Sequence, residues 1–413
     1  MATILFLAHR IPYPPNKGDK IRSWHFLAYL LRHHRVHLAC FIDDAEDIQY
    51  LEKLNDDCAS VKAVVRQGLK SKIHGLTGVM TGTTITRASY RSREIDDYVD
   101  DLLQGDDRPD LIYCFSAGMM QFTEKYAARV PVLFDMVDVD SAKWQSYAAD
   151  SGFPLSWIYR REAQLLRQEE NQAIDQSYGT FLVSRDEALL CQNRYHGSRA
   201  ETIHSLKNGV DYDYFDPDFT PKQSVQSTDL IFTGAMDYRP NIEAILWFIG
   251  SVWPQIKAEK PSVTLAIVGG NPSQDILKLA DDPAITVTGF VDESRAWIQA
   301  ARLVIAPLKI ARGVQNKVLE GMAMAKPVVA TTEAYTGIDA PVDKNAPAGQ
   351  CLSVCDDASD FAQETLRLLG DTQQAAAMGQ AARTWIKDNQ SWDSQYDVLQ
   401  EYIDRALSPV GKG

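Results

Sequence analysis

Residues 303–332 read LVIAPLKIARGVQNKVLEGMAMAKPVVATT. The run Leu303–Pro307 is short, apolar and closed by proline, the pattern of a buried strand. A polar loop with Gly313 follows, and then a helical pattern from about Gln315 to Ala325. Leu319, Met322 and Ala323 fall at i, i+3 and i+4, so they share one face. Pro327 ends that helix, and Val328–Ala330 reads as the next buried strand. Strand, loop, helix, strand within thirty residues is the unit of a parallel α/β sheet.

The polar residues of this stretch suit a phosphorylated ligand. Gly313 leaves the backbone uncrowded just before a helix N-terminus, where free N–H groups and the helix dipole favour an anion. Lys317 adds a cation in the first turn. Glu320 lies on the same side as Asn316 and Lys317 by i+4 and i+3 spacing, where its carboxylate can accept hydrogen bonds from a vicinal diol such as a ribose. Two readings fit these residues equally well: a nucleoside diphosphate site, or an amphipathic helix with a solvated Lys–Glu pair.

The rest of the chain repeats the alternation. Thr3–Ala8 is a strand, the loop HRIPYPPNKGDK carries Gly18, Ile21–Arg32 is helical, and His37–Phe41 is the next strand. In such folds ligands bind at the carboxyl ends of strands, which brings the Gly18 loop to a site. Neither G-x-G-x-x-G nor the P-loop pattern occurs. Further strands are expected at Leu111–Phe115, Val132–Asp135, Gly179–Ser184, Leu230–Thr233, Val263–Val268, Ile285–Thr288 and Cys351–Val354. Single helices are expected over Phe153–Ser177 and Ile242–Lys257. The turn N-G-V-D at 208–211 and the polar stretch Asp213–Ser227 mark a linker. The expected plan is a domain over 1–207, a linker over 208–228, a second domain over 229–388, and a C-terminal helix over 389–413 packing back on the first.

At 413 residues the chain suits two domains. A net charge of −13 argues against general nucleic-acid binding. The six cysteines are scattered and match no zinc spacing, so reduced thiols of a cytoplasmic protein are expected. No apolar run reaches the ~18–20 residues that span a bilayer. Residues 61–93 depart from the acidic whole: they hold seven Lys or Arg, among them Lys62, Arg66, Lys70 and Arg87, and no Asp or Glu. That stretch reads either as a dock for an anionic membrane surface or as a solvated segment. Asp138 and Asp140 form a D-x-D that either overhangs a ligand cleft or caps a helix.

The run N-K-V-L-E-x-M-A-x-x-K-P-V-V-A at 316–330 resembles the donor-site helix of GT-B glycosyltransferases of family 4 (glycosyl transferases group 1). The run F-D-M-V-D-V-D-S-A-K-W at 134–144 is similar to a subgroup of sugar transferases associated with exopolysaccharide and PEP-CTERM gene systems. The resemblance implies two doubly wound Rossmann-like α/β domains facing a central cleft. It makes Glu320 the ribose ligand, and Gly313, Val314, Gln315, Asn316 and Lys317 the phosphate cradle. Gly18 and Gly234 lie in the loops that approach the diphosphate. Phe290 and Val291 lie where the nucleobase is framed. Relatives carry an Arg just after the position of Gly234 and a Lys further on; here Ala235 and about Asn241 stand there, and Arg239 is the expected substitute. Arg312 stands where relatives have a second Glu. Asp138 stands near the position of a His beside the reacting sugar, so Asp138 and Lys317 are the catalytic candidates.

By the same resemblance the reaction is a retaining, metal-independent transfer from a nucleotide-diphosphate sugar, with no cofactor. The acceptor is a glycan or a lipid-linked glycan in exopolysaccharide synthesis, and the location is cytoplasmic or peripheral at the inner membrane face. Two other functions stay open: a sugar-nucleotide epimerase, and a degenerate scaffold in a polysaccharide complex.

Overall fold

Apolar runs of four to eight residues punctuated by glycine and proline become central parallel strands here, each covered on both faces by helices. The computed structural model describes residues 1–15, 18–66, 82–149, 151–311, 314–342 and 349–408. The chain divides into two units, one of residues 1–207 with Tyr396 onward, the other of Asn208–Gln395.

In the first unit the described strands are β1 (Thr3–Ala8), β2 (Arg35–Ile42), β3 (Ser60–Val65), β4 (Leu111–Phe115), β5 (Val132–Val137), β6 (Gly179–Leu182) and β7 (Ile203–Ser205). They form a parallel sheet in the order β3-β2-β1-β4-β5-β6-β7. The strand order reverses between β1 and β4, which opens a crevice at their carboxyl ends. A buried ion pair ties this sheet to the helix Gly18–His33: Arg22 Nε donates to Asp135 at 2.9 Å, and Tyr113 Oη donates to the same carboxylate at 2.6 Å. The pairing is obligatory, because a lone charge at that depth would be strongly destabilising.

In the second unit the described strands are β8 (Thr228–Thr233), β9 (Leu265–Val268), β10 (Ile285–Val287), β11 (Ala301–Ala306), β12 (Val328–Ala330) and β13 (Ser353–Val354), in the order β10-β9-β8-β11-β12-β13 and all parallel. The reversal lies between β8 and β11. The doubly wound α/β expectation therefore holds in each unit.

Several details differ from expectation for physical reasons. The expected helix Ile242–Lys257 is three pieces, Arg239–Trp247, a π-turn Phe248–Val252, and Trp253–Glu259. Pro254 has no N–H for the carbonyl four residues back, and the wider turn absorbs the break. The strand expected from Cys351 is only Ser353–Val354. The expected linker 208–228 is bound into the second unit. Arg383 donates to the Tyr212 and Phe215 carbonyls at 3.2 and 2.9 Å. Gln299 donates to those of Pro217 and Phe219 at 2.8 and 2.9 Å, and the Arg295 guanidinium lies 3.6 Å from the Tyr214 ring centre.

The C-terminal region is three helices. Asp371 closes Ala358–Gly370 and caps Thr372–Asn389 by accepting from Gln374 N–H. Ser391 Oγ then accepts from Ser394 N–H at 3.1 Å, opening the helix Trp392–Leu407. From Tyr396 that last helix packs within the first unit. Tyr396 Oη lies 3.0 Å from His25 Nδ1, Tyr29 Oη donates to Gln400 at 2.9 Å, and the Tyr402 and Phe181 rings meet edge to face.

Candidate functional site

The crevice of the second unit follows from where its strands stop. Gly234 comes directly after β8, Gly269 directly after β9, and the helix Asn316–Ala323 opens ten residues after β11. The Gly234 and Gly269 turns touch. A Cβ on Gly269 would lie 1.7 Å from the Gly234 carbonyl oxygen, and the residue sits at φ +155°. No side chain fits, so the two strand ends can close together only as glycines.

Beneath them lies a cavity of about 610 Å³. Its wall includes Gly234, Ala235 and Asn241 from the β8 side, Gly269, Gly270 and Asn271 after β9, Phe290, Val291 and Ser294 after β10, and Val314, Gln315, Asn316, Lys317 and Glu320 from the helix start. The Asn241 side chain is buried, and its amide donates to the Ala235 carbonyl at 2.9 Å, which holds the loop. The same amide oxygen accepts from Lys317 Nζ at 3.0 Å, while Gln315 Oε1 lies 3.3 Å from that ammonium. A Cβ on Gly234 would press on Asn241 Nδ2 at 2.7 Å, so this glycine leaves room for the amide that aims the lysine.

The two charges of the site are both penalised by burial. Burial raises the Glu320 carboxyl to about 7 against the pull of Lys317. Burial lowers the Lys317 ammonium to about 8 against the pull of Glu320. Phe290 is 79 % exposed, an uncovered aromatic face at the rim. A first-turn ammonium, a helix N-terminus, an inward carboxylate and an aromatic rim together suit an anion joined to a diol and a planar ring.

Of the residues expected at the donor site, Gly234, Phe290, Val291, Val314, Gln315, Asn316, Lys317 and Glu320 line this cavity. Gly313 and Arg312 lie outside the described residues. Arg239 is a correction: it does not line the cavity but sits 85 % exposed and pairs with Glu243 at 2.6 Å, one helical turn on. The sequence reading gave no role to Asn241, Gly269, Gly270, Asn271 or Ser294. The glycine pair closing an apolar run was the available signal for two of them.

Asp138 belongs to a second cavity, of about 440 Å³, in the first unit. Its wall includes His9, Asp19, Arg66, Tyr90, Ser116, Asp138, Asp140, Lys143 and Trp144. Gly18 opens the helix Gly18–His33, one residue before Asp19. Ser116 and Val137 sit at φ +80° and +71°, right after β4 and at the end of β5. For a β-branched valine that conformation is strained, and such strain persists only where the surroundings enforce it.

At these two residues the bonds are backbone ones, Ser116 N–H to the Asp135 carbonyl at 2.8 Å and Val183 N–H to the Val137 carbonyl at 2.7 Å, while carboxylates on neighbouring helices bind other backbone N–H groups nearby. Glu162, fully buried, accepts from the Ile85 and Thr86 N–H groups at 2.7 and 3.0 Å. Glu170 accepts from Ser141 N–H and Oγ at 2.8 and 2.6 Å, and Glu187 from Val139 N–H at 3.0 Å. Burial raises Glu170 to about 7 despite those bonds. Burial also favours the neutral form of Asp19, but a hydrogen bond from His9 and the charge of Arg10 outweigh it and hold the carboxyl at about 2. Lys143 Nζ lies 2.6 Å from Asp138 and 3.4 Å from Asp140. The D-x-D is thus clasped by a lysine.

The basic stretch 61–93 is less bare than its sequence suggests. Lys62 faces Glu94 at 2.9 Å, Arg66 faces Asp43 at 3.5 Å, Arg87 faces Glu124 at 2.5 Å and Arg93 faces Asp97 at 3.6 Å. Residues 67–81, with Lys70 and Lys72, lie outside the described residues. Among the described residues no helix is long and apolar enough to cross a membrane.

Comparison with known proteins agrees with this geometry. Residues 227–371 match the family model for glycosyl transferases group 1. An uncharacterized 44.6 kDa protein in the cps region of Klebsiella pneumoniae is 23% identical over 408 residues, covering 94% of this chain and 96% of that protein. Among solved structures, HepE of Anabaena in complex with UDP superposes with a TM-score of 0.65 at 15% identity, over 98% of this chain and 100% of the other. Sucrose-phosphate synthase of Thermosynechococcus elongatus does so with a TM-score of 0.63 at 14% identity, over 98% and 99%.

Proposed function

We propose that this chain, whose residues 227–371 match the glycosyl transferases group 1 model and whose fold is that of GT-B structures, is a glycosyltransferase that carries out a retaining, metal-independent transfer of a sugar from a nucleotide-diphosphate sugar to a glycan or lipid-linked acceptor in cell-surface polysaccharide synthesis. The observation that carries the reading is the convergence of Lys317, Glu320 and the helix start at Asn316 in one cavity of the second unit.

The chemistry follows from what breaks. Departure of the diphosphate leaves negative charge on its oxygens. The Lys317 ammonium and the free N–H groups at the start of Asn316–Ala323 are already oriented to receive that charge, so no reorganisation is needed when it forms. Glu320, as a carboxylate, accepts from the ribose hydroxyls, and Phe290 offers a stacking face to the base. The first unit's cavity, with Asp138 and the strained Ser116 and Val137, takes the acceptor. Asp138 draws the acceptor proton, or the departing phosphate does so in its place. The cps-region setting of the Klebsiella relative supports polysaccharide synthesis as the context.

The test is product analysis with sugar nucleotides, UDP-sugars first because the HepE structure holds UDP. The reading expects release of the nucleoside diphosphate that depends on an added glycan acceptor, with the new linkage keeping the donor's anomeric configuration. Conversion of the sugar nucleotide to an epimer without acceptor would replace it by the epimerase reading. Absence of both binding and turnover would replace it by the scaffold reading.

A further inference from the structure

A helical hairpin of the first unit ends in an apolar tip that nothing described so far uses. Its arms are the helices Asp140–Ala149 and Leu155–Gln176. At the tip Phe153 is 87 % exposed, Trp157 56 % and Leu155 49 %. A Cβ placed on Gly152 would meet nothing within 4 Å among the described residues, so the turn is open at that point. Residues 151–161 contain no Asp or Glu but do contain Arg160 and Arg161, in a chain of net charge −13. Glu162 turns inward onto the Ile85 and Thr86 N–H groups and takes no part in that surface.

We propose that this tip, residues 151–157, is an interfacial anchor that docks the protein on an anionic lipid bilayer. Phenylalanine and tryptophan favour the headgroup boundary, and arginine one turn behind them meets the lipid phosphates. A protein partner fits less well, because a stable protein interface takes ~20–30 residues from each side, whereas the tip offers a point rather than a face. The same hairpin carries Trp144 in the wall of the Asp138 cavity, its ring 5.3 Å from that of Tyr159. Docking at the tip would therefore bring that cavity to the bilayer and select a lipid-linked acceptor; this last consequence rests on the acceptor reading above, whereas the docking does not.

The test is flotation of the full chain with vesicles of phosphatidylglycerol and phosphatidylcholine, or of phosphatidylcholine alone. The anchor predicts that wild type floats with the anionic vesicles and at least fivefold less with the zwitterionic ones. Phe153→Ser/Trp157→Ser and Arg160→Glu should each cut flotation at least fivefold while their melting temperatures and responses to UDP match wild type. Wild type that stays with the soluble fraction, or a tip variant that floats as well as wild type, would overturn the anchor. So would a wild-type dimer that Phe153→Ser/Trp157→Ser converts to monomer in sedimentation velocity. Failure of the UDP response in wild type bears on the donor site alone.

Discussion

Lys317 Nζ lies 3.0 Å from Asn241 Oδ1, and through that bond a buried amide after β8 aims the ammonium that opens the helix after β11. The contact spans 76 residues of sequence. It joins the two loops at the strand-order reversal of the second sheet, and it positions the ammonium in the cavity there.

Asn241→Ala should therefore weaken both the fold and the donor site. The Ala235 carbonyl loses its donor and the ammonium loses its acceptor. A loss of about 1–3 kcal/mol in urea denaturation is expected, with a rise in donor KM larger than the fall in kcat. Unchanged stability together with unchanged KM would contradict the role of the amide.

The pH dependence follows from Glu320. Its folded pKa, about 7, is above the ordinary value of 4.5. The folded protein then holds a proton that the unfolded chain releases, so the contribution of Glu320 to stability falls as pH rises from about 4.5 to 7 and is flat beyond. Glu320→Gln removes that penalty. The variant should be at least ~1 kcal/mol more stable than wild type at pH 8, with no gain at pH 4, measured by chemical denaturation. Lys317, lowered to about 8, makes nucleoside diphosphate affinity fall as pH rises through 8. Affinity should thus peak between about pH 7 and 8, which calorimetric titration across pH reads directly.

Gly269→Ala should collapse the crevice. The added methyl meets the Gly234 carbonyl at 1.7 Å, so one strand end must move. About 3 kcal/mol of destabilisation is expected, together with loss of nucleotide-induced thermal stabilisation. Gly289→Ala is the control. It also has positive φ, but a Cβ there meets nothing within 4 Å, so it should cost less and keep the nucleotide response.

Asp138→Asn should separate chemistry from donor binding. The residue lines the first unit's cavity, apart from the donor residues, and is held by Lys143 at 2.6 Å. A fall in kcat of ~10²-fold with unchanged UDP affinity is expected if the carboxylate takes the acceptor proton. An unchanged kcat would assign that proton to the departing phosphate.

Much of the second unit could be read before folding because its signals are local. The run from Leu303 to Ala330 carries its own strand, helix face and stop, and Lys317 and Glu320 line one cavity, which favours the ligand-site reading over the solvated pair that their spacing left equally open. Arg239 was misplaced because a residue's distance along the chain from Gly234 does not say which way a helix turns it. Glu243 four residues on was the local sign that it faces water and pairs there. Asn241 could not be assigned its partner from sequence, since Lys317 reaches it only once β8 and β11 lie side by side. The region 208–228 looked like a linker because its own composition is polar and proline-containing. The arginines and glutamine that bind it, at 295, 299 and 383, come later in the chain. The positive φ at Ser116 and Val137 has no sequence signature at all, since neither residue type favours that conformation.

The proposed transfer needs the second unit's cavity to bind a nucleoside diphosphate through Lys317 and Glu320. Titration of UDP, GDP, ADP, CMP and dTDP into wild type, Lys317→Ala, Glu320→Ala and Arg239→Ala, with thermal stabilisation as readout, checks that binding. Ligand at ~100 times its dissociation constant adds about 2.7 kcal/mol, enough for a clear rise in Tm. One nucleotide should stabilise wild type and Arg239→Ala equally and leave Lys317→Ala and Glu320→Ala unshifted. No stabilisation of wild type by any of the five, or full stabilisation of Glu320→Ala, would contradict it.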